Sequence, residues 1–149
     1  MDMKIVVMDG DASSWEEAIH LCAEKLHAQG YVKKEFEENC IRREKQFPTG
    51  LNTELPIAIP HTESEYVCQS AICFLRLKQP VKFMNMENAQ EFVPARYVLN
   101  LAIREKEKQV PALARVIEVF QNGSVLKQMS SLDLDAFRRE LVEKLAMDG

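Results

Sequence analysis

Ser70–Leu77 reads SAICFLRL, and its run of five apolar residues, Ala71 to Leu75, decides the fold. A strand with one wet face alternates apolar and polar side chains, whereas an unbroken apolar run belongs to a strand covered on both sides. Helices are therefore expected on each face of the sheet. Working outward, Lys4–Met8 with its Ile-Val-Val run and Tyr97–Ile103 read as two further strands. Ile57–Ile59, framed by Pro56 and Pro60, is a brief fourth. Val81–Phe83 is a weaker extended piece after the break at Lys78-Gln79-Pro80, while Thr62–Glu65 and Asn85–Gln90 read as loops.

The remaining segments repeat with helical spacing. Ser14 offers a cap and Glu17 a capping box. Trp15, Ala18, Ile19, Cys22 and Leu26 then form an apolar stripe that Gly30 ends. A second helix is expected over Lys33–Lys45, with Phe36, Cys40 and Ile41 inward, closed by the turn residues Pro48 and Gly50. Pro111 suits the first turn of a helix carrying Leu113, Val116, Ile117 and Phe120, with Gly123 as its stop. Ser124–Met129 is a short helix. Ser131 or Asp133 caps a last one that buries Phe137, Leu141, Val142 and Leu145. The order strand, two helices, several strands, then helices predicts an α/β protein: a three-layer α/β/α sandwich with a mixed sheet, as one domain over residues 1–149.

Composition excludes several function classes. A net charge of −4 and a pI near 5.5 argue against a nucleic-acid partner, which needs a concentrated basic surface. No apolar run approaches the roughly 20 residues that span a bilayer, so no membrane insertion is expected. The N-terminal MDMKIVVMDG has too short an apolar part for a secretory signal, and a cytoplasmic location is expected. Cys22, Cys40, Cys68 and Cys73 contain no C-x-x-C pair and read as reduced thiols. His20 and His27 are seven residues apart on one helix, about 10.5 Å along its axis, too far to share a metal ion.

Chemistry concentrates in Arg42–Thr62, RREKQFPTGLNTELPIAIPHT. The two prolines around Ile57–Ile59 make the chain leave the strand at a defined angle, so His61 is expected to be displayed, with an imidazole near its unperturbed pKa. Such a ring can serve as nucleophile, base or metal ligand. Arg43 falls in the last turn of the second helix, close to the Pro48-Thr49-Gly50 turn, and Glu44 is expected to partner Arg43 or the helix terminus.

Arg43-Glu44, Phe47-Pro48-Thr49-Gly50 and Ile57-Ala58-Ile59-Pro60-His61, with the spacing between them, resemble the phosphotransferase-system enzyme IIA domains of the fructose and mannitol superfamily, and most closely their galactitol-type branch. The likeness extends over nearly the whole chain. It implies the same α/β sandwich and a phosphoryl relay without cofactor or metal. In that relay His61 accepts the group from the phosphocarrier protein HPr, through Nε2, and passes it to an enzyme IIB. The membrane component, enzyme IIC, is involved only indirectly and holds most of the sugar specificity.

The resemblance also implies site roles. Arg43 supplies a bidentate fork to the phosphoryl oxygens, Thr49 a hydroxyl donor and Gly50 a closely approaching amide. The other ring nitrogen of His61 is expected to be held by a backbone carbonyl. Many superfamily members carry a second histidine at the start of the helix after the last strand. Here Gln109 stands there, as the galactitol-type branch tolerates. Phe47, Leu51, Leu55 and Ile57 are candidates for an apolar docking centre or for core. Two other readings stand beside the transport carrier: a regulatory module whose phosphorylation at His61 controls binding to a partner protein, and a His-dependent hydrolase using Ser64 or Ser70.

Overall fold

The computed structural model describes residues 3–146. Five strands form one mixed sheet: β1 (Lys4–Gly10), β2 (Gly50–Leu51), β3 (Ile57–Ala58), β4 (Ala71–Met84) and β5 (Phe92–Ala102), in the spatial order β1-β4-β5-β3-β2. β1 runs parallel to β4 and β3 parallel to β5; β4 with β5 and β2 with β3 are antiparallel.

The apolar run of β4 behaves as its lack of alternation requires. Ala71, Cys73 and Leu75 enter a core beneath α1 (Trp15–Ala28) and α2 (Phe36–Gln46). Ile72 and Phe74 enter a second core on the opposite face, beneath α3 (Gln109–Phe120), α4 (Gly123–Met129) and α5 (Leu134–Ala146). Phe74 sits at the centre of that second core, edge-on to Phe120 at 5.1 Å and to Phe137 at 5.7 Å. The three-layer α/β/α sandwich is thus a direct consequence of one strand that buries both its sides.

Local signals set the helix ends. Ser14 accepts a hydrogen bond from the Glu17 amide at 3.1 Å, while the Glu17 carboxylate turns to the Ser13 hydroxyl instead of closing the capping box. Gly30 closes α1 at φ +80, where its own amide reaches His27 O and that of Tyr31 reaches Leu26 O, the paired bonds of a Schellman motif.

Several expectations are corrected. β4 continues through Pro80: the ladder to β5 is irregular between Arg76 and Val81, which absorbs a residue with no N–H to donate. β5 starts at Phe92, not Tyr97, because its first half alternates with only Val93 and Ala95 buried. Gly50, the last residue of the expected Pro48-Thr49-Gly50 turn, instead opens strand β2, paired with β3. α2 begins at Phe36, and Ser64–Tyr66 is a 3-10 turn within the expected loop. Gly123 opens α4 instead of merely stopping α3, capped by Asn122, whose side chain accepts from the Ser124 amide. Asp133, not Ser131, bonds the first turn of α5 through the Ala136 amide, and Val142 is 38% exposed where burial was expected.

Candidate functional site

His61 lies three residues beyond the carboxyl end of β3, alongside the last residues of its parallel neighbour β5. The carboxyl ends of neighbouring parallel strands are a recurrent place for ligands, because the chain leaves there in loops and helix starts. The backbone on either side of His61 is tied down. Pro60 O accepts from the Leu101 amide and from the buried Asn100 Nδ2, each at 3.0 Å. Thr62 O accepts from Gln109 Nε2 at 2.8 Å. The Thr62 hydroxyl donates to Glu63, whose carboxylate takes a two-contact bond from Arg42 at 3.0 Å.

Within this frame His61 Nδ1 sits 2.8 Å from Ile59 O. A carbonyl oxygen can only accept, so the ring donates through Nδ1–H and its Nε2 carries the free lone pair. The ring is partly buried, not openly displayed. Burial lowers its pKa below the ordinary value of 6.5; the Ile59 carbonyl opposes that, and the nearby Arg43 charge adds to it. The expectation of an unperturbed imidazole is corrected accordingly: the ring is held neutral by its surroundings.

Arg43, in the last turn of α2, shares a cavity of about 100 Å³ with His61, Gln109, Leu101, Ile103, Val110 and Leu113. Its guanidinium lies 5.4 Å from the centre of the Phe47 ring and has no carboxylate partner among the described residues. Phe47, 60% exposed, and Val110, 77% exposed, flank this opening, whereas Ile57 is core and Leu51 and Leu55 pack against the core. Gln109 is the first residue of α3, so the amide-rich start of that helix also borders the cavity.

Thr49 is placed differently from its expected role. It is buried away from the cavity lining. Its hydroxyl donates to Glu44 Oε1 at 2.8 Å and accepts from the Ile59 amide at 3.1 Å, which leaves it no proton to offer a phosphoryl group. Gly50 likewise serves β2 instead of the cavity. A Cβ there would lie 2.6 Å from Met84 O, so only glycine permits the close approach of strand β2. Glu44 partners neither Arg43 nor the helix end: it takes the Thr49 amide and hydroxyl, and burial pushes its carboxyl up to about 7.

Asn100 escaped the sequence reading, although an asparagine inside the apolar run Tyr97–Ile103 was the available signal. A polar side chain buried in a central strand must have a partner, and here it braces the peptide before His61. The serines proposed for hydrolysis do not join the cavity. Ser70 accepts from the Arg104 amide, and Ser64 Oγ is buried without a hydrogen-bond partner among the described residues. His20 bonds Glu37 across α1 and α2, and among the described residues no group of three His, Cys, Asp or Glu is disposed to hold a metal ion.

A neutral imidazole and a guanidinium with no carboxylate partner among the described residues thus line one small cavity, an arrangement suited to receiving an anionic group. The family model for the phosphoenolpyruvate-dependent sugar phosphotransferase system, EIIA 2, matches residues 1–143, and the chain belongs to that family. The galactitol-specific EIIA component of Escherichia coli strain K12 is 30% identical over 131 residues, covering 87% of this chain and 85% of that protein. The mannitol-specific EIICBA component of Buchnera aphidicola is 30% identical over 122 residues, 80% of this chain, but the match spans only 18% of that relative's length. Among solved structures, the complex of enzyme IIAMTL and phosphorylated enzyme IIBMTL from Escherichia coli superposes with a TM-score of 0.73 at 27% identity, covering 96% of this chain and 94% of the matched one. None of the described helices is long and apolar enough to cross a membrane.

Proposed function

We propose that the protein is a single-domain phosphocarrier: His61 accepts a phosphoryl group from phospho-HPr and passes it to an enzyme IIB, in uptake of galactitol or a related polyol. The observation that carries this reading is the Nδ1 bond of His61 to Ile59 O, in a cavity shared with Arg43, which has no carboxylate partner among the described residues. Nε2 attacks phosphorus as the phosphorus–nitrogen bond to the donor histidine breaks. The donor ring leaves neutral, and His61 keeps its proton on Nδ1 throughout. Charge spread over the three equatorial oxygens meets the Arg43 guanidinium in a small, largely apolar cavity, where such a contact is worth more than in water. The second transfer reverses these roles, with a nucleophilic side chain of the IIB partner attacking the same phosphorus.

The partner assignment draws on the IIA and phosphorylated IIB complex to which this fold is similar, and the galactitol assignment on the EIIA component that is similar over most of its length. Phe47 and Val110 offer exposed apolar surface beside the cavity, which suits a small transient interface with two partners in turn. The roles of Gln109 are to anchor the loop through Thr62 O and to border the cavity without adding charge.

Phosphoenolpyruvate with enzyme I and HPr should label the protein with an acid-labile, base-stable phosphate. His61→Ala should abolish labelling while the protein stays folded. Label that then moves to a galactitol-type IIB, and not to a mannitol-type one, would support the polyol assignment. Label that moves to no IIB would favour the regulatory reading, and retained labelling of the His61→Ala protein would sink both.

A further inference from the structure

We propose that Glu44 and Thr49 are positioning residues: a buried chain from the Glu44 carboxyl through the Thr49 hydroxyl to the Ile59 amide aims the Ile59 carbonyl that takes the His61 Nδ1 proton, and so leaves Nε2 bare. The purpose of the chain rests on the phosphocarrier reading, but its geometry does not.

Each link follows from what the groups can donate and accept. Glu44 is 5% exposed, and both its oxygens are committed to Thr49: Oε2 to the amide and Oε1 to the hydroxyl, each at 2.8 Å. A hydroxyl has one proton and two lone pairs. Once the proton is directed to Glu44, a lone pair is free to receive the Ile59 N–H at 3.1 Å. Without Glu44 the hydroxyl can rotate and donate elsewhere, and the Ile59 amide loses its fixed acceptor.

Ile59 converts that anchor into a direction. Its side chain is fully buried, and Pro60 after it confines its ψ to the extended range. With the amide pinned as well, the carbonyl has one orientation, towards His61 Nδ1 at 2.8 Å. The next carbonyl along the chain cannot compete for the ring, because Pro60 O is already taken by Leu101 and Asn100. A free histidine side chain favours the proton on Nε2, which would leave that nitrogen without a lone pair to attack phosphorus. The chain from Glu44 therefore selects the less favoured tautomer and holds it in place.

The test uses the whole protein labelled with nitrogen-15 histidine, with the His61 ring signals identified by their loss in His61→Gln. In the parent protein Nδ1 should be the protonated nitrogen. In Thr49→Val the Nε2–H form should gain substantially, and the initial rate of phosphoryl acceptance should drop on the order of tenfold, as for loss of a buried hydrogen bond that leaves an orphaned amide. Thr49→Ser should restore both readouts. Glu44→Gln, which keeps the shape but reverses one bond of the chain, should move the tautomer the same way by a smaller amount, and it decides the matter if Thr49→Val does not fold. Folded variants with lower thermal stability but the parent's ring spectrum and acceptance rate would show Glu44 and Thr49 to be only structural, and would overturn the proposal. The ring spectra need no phosphorylation, so a parent protein that takes no label would count against the carrier reading while this test still returned its answer.

Discussion

Arg43 differs from its neighbour Arg42 in having no carboxylate partner among the described residues. Arg42 is engaged by Glu63, while Arg43 has the Phe47 ring beneath its guanidinium and opens onto the His61 cavity. An unspent guanidinium can give two parallel N–H bonds to a phosphoryl group, which a lysine ammonium cannot imitate. Arg43→Lys should keep the fold, because the substitution weakens nothing there beyond a surface cation–π interaction worth about 0.5–1 kcal/mol. Phosphoryl acceptance should slow by roughly tenfold or more, the loss expected when a charge-assisted hydrogen bond of about 1.5–3 kcal/mol disappears. Stopped-flow or quenched labelling would measure it, and unchanged kinetics would remove Arg43 from the mechanism. At this scale the sequence was a good guide to residues whose role depends on near neighbours in the chain. It was a poor guide to Thr49, Glu44 and Asn100, whose bonds reach residues 5 to 60 positions away.

Elements were legible in proportion to the length of their apolar pattern. β1, the first half of β4 and the second half of β5 are mostly apolar runs, and α1, α3 and α5 repeat over three or more turns, so each could be read from the chain. β2 has two residues and no period at all. The first half of β5 was hidden by Pro94, which pairs with Lys82 in the β4–β5 ladder despite lacking an N–H. Gly50 ties these two unread pieces together, since a methyl group at residue 50 would meet the Val93 side chain of β5 as well as Met84 O at the end of β4. Gly50→Ala should therefore destabilise the protein by about 1–3 kcal/mol, the usual cost of forcing an atom into a packed site. Because Thr49 immediately precedes β2, and β2 pairs with β3 just ahead of His61, the same substitution should also slow phosphoryl acceptance. A denaturant midpoint and a labelling rate equal to the parent's would show that β2 is not part of the frame.

Across the whole molecule, the two groups at the ends of the Glu44 to His61 chain make opposite demands on pH. Glu44 titrates at about 7 in the folded protein against 4.5 for an unburied carboxyl, so between those values the folded state keeps a proton that the unfolded chain has lost. Its contribution to stability falls as pH rises through that window, by roughly 3 kcal/mol at most. His61 acts in the reverse sense. Its folded pKa lies below 6.5, so on acidification the unfolded chain takes up the proton first and stability falls as pH drops through 6.5. The site is therefore most comfortable near neutrality, where the imidazole is uncharged and the buried carboxyl is only partly ionised. Glu44→Gln removes the first dependence and leaves the second. Urea unfolding of parent and variant at about pH 8 and about pH 4 isolates it, because the other titrations cancel in the difference. Relative to the parent, the variant should be up to roughly 3 kcal/mol better placed at the higher pH than at the lower one. Parallel stability curves would mean that Glu44 ionises in the folded protein as easily as in the unfolded chain, and that its burial costs the charge nothing.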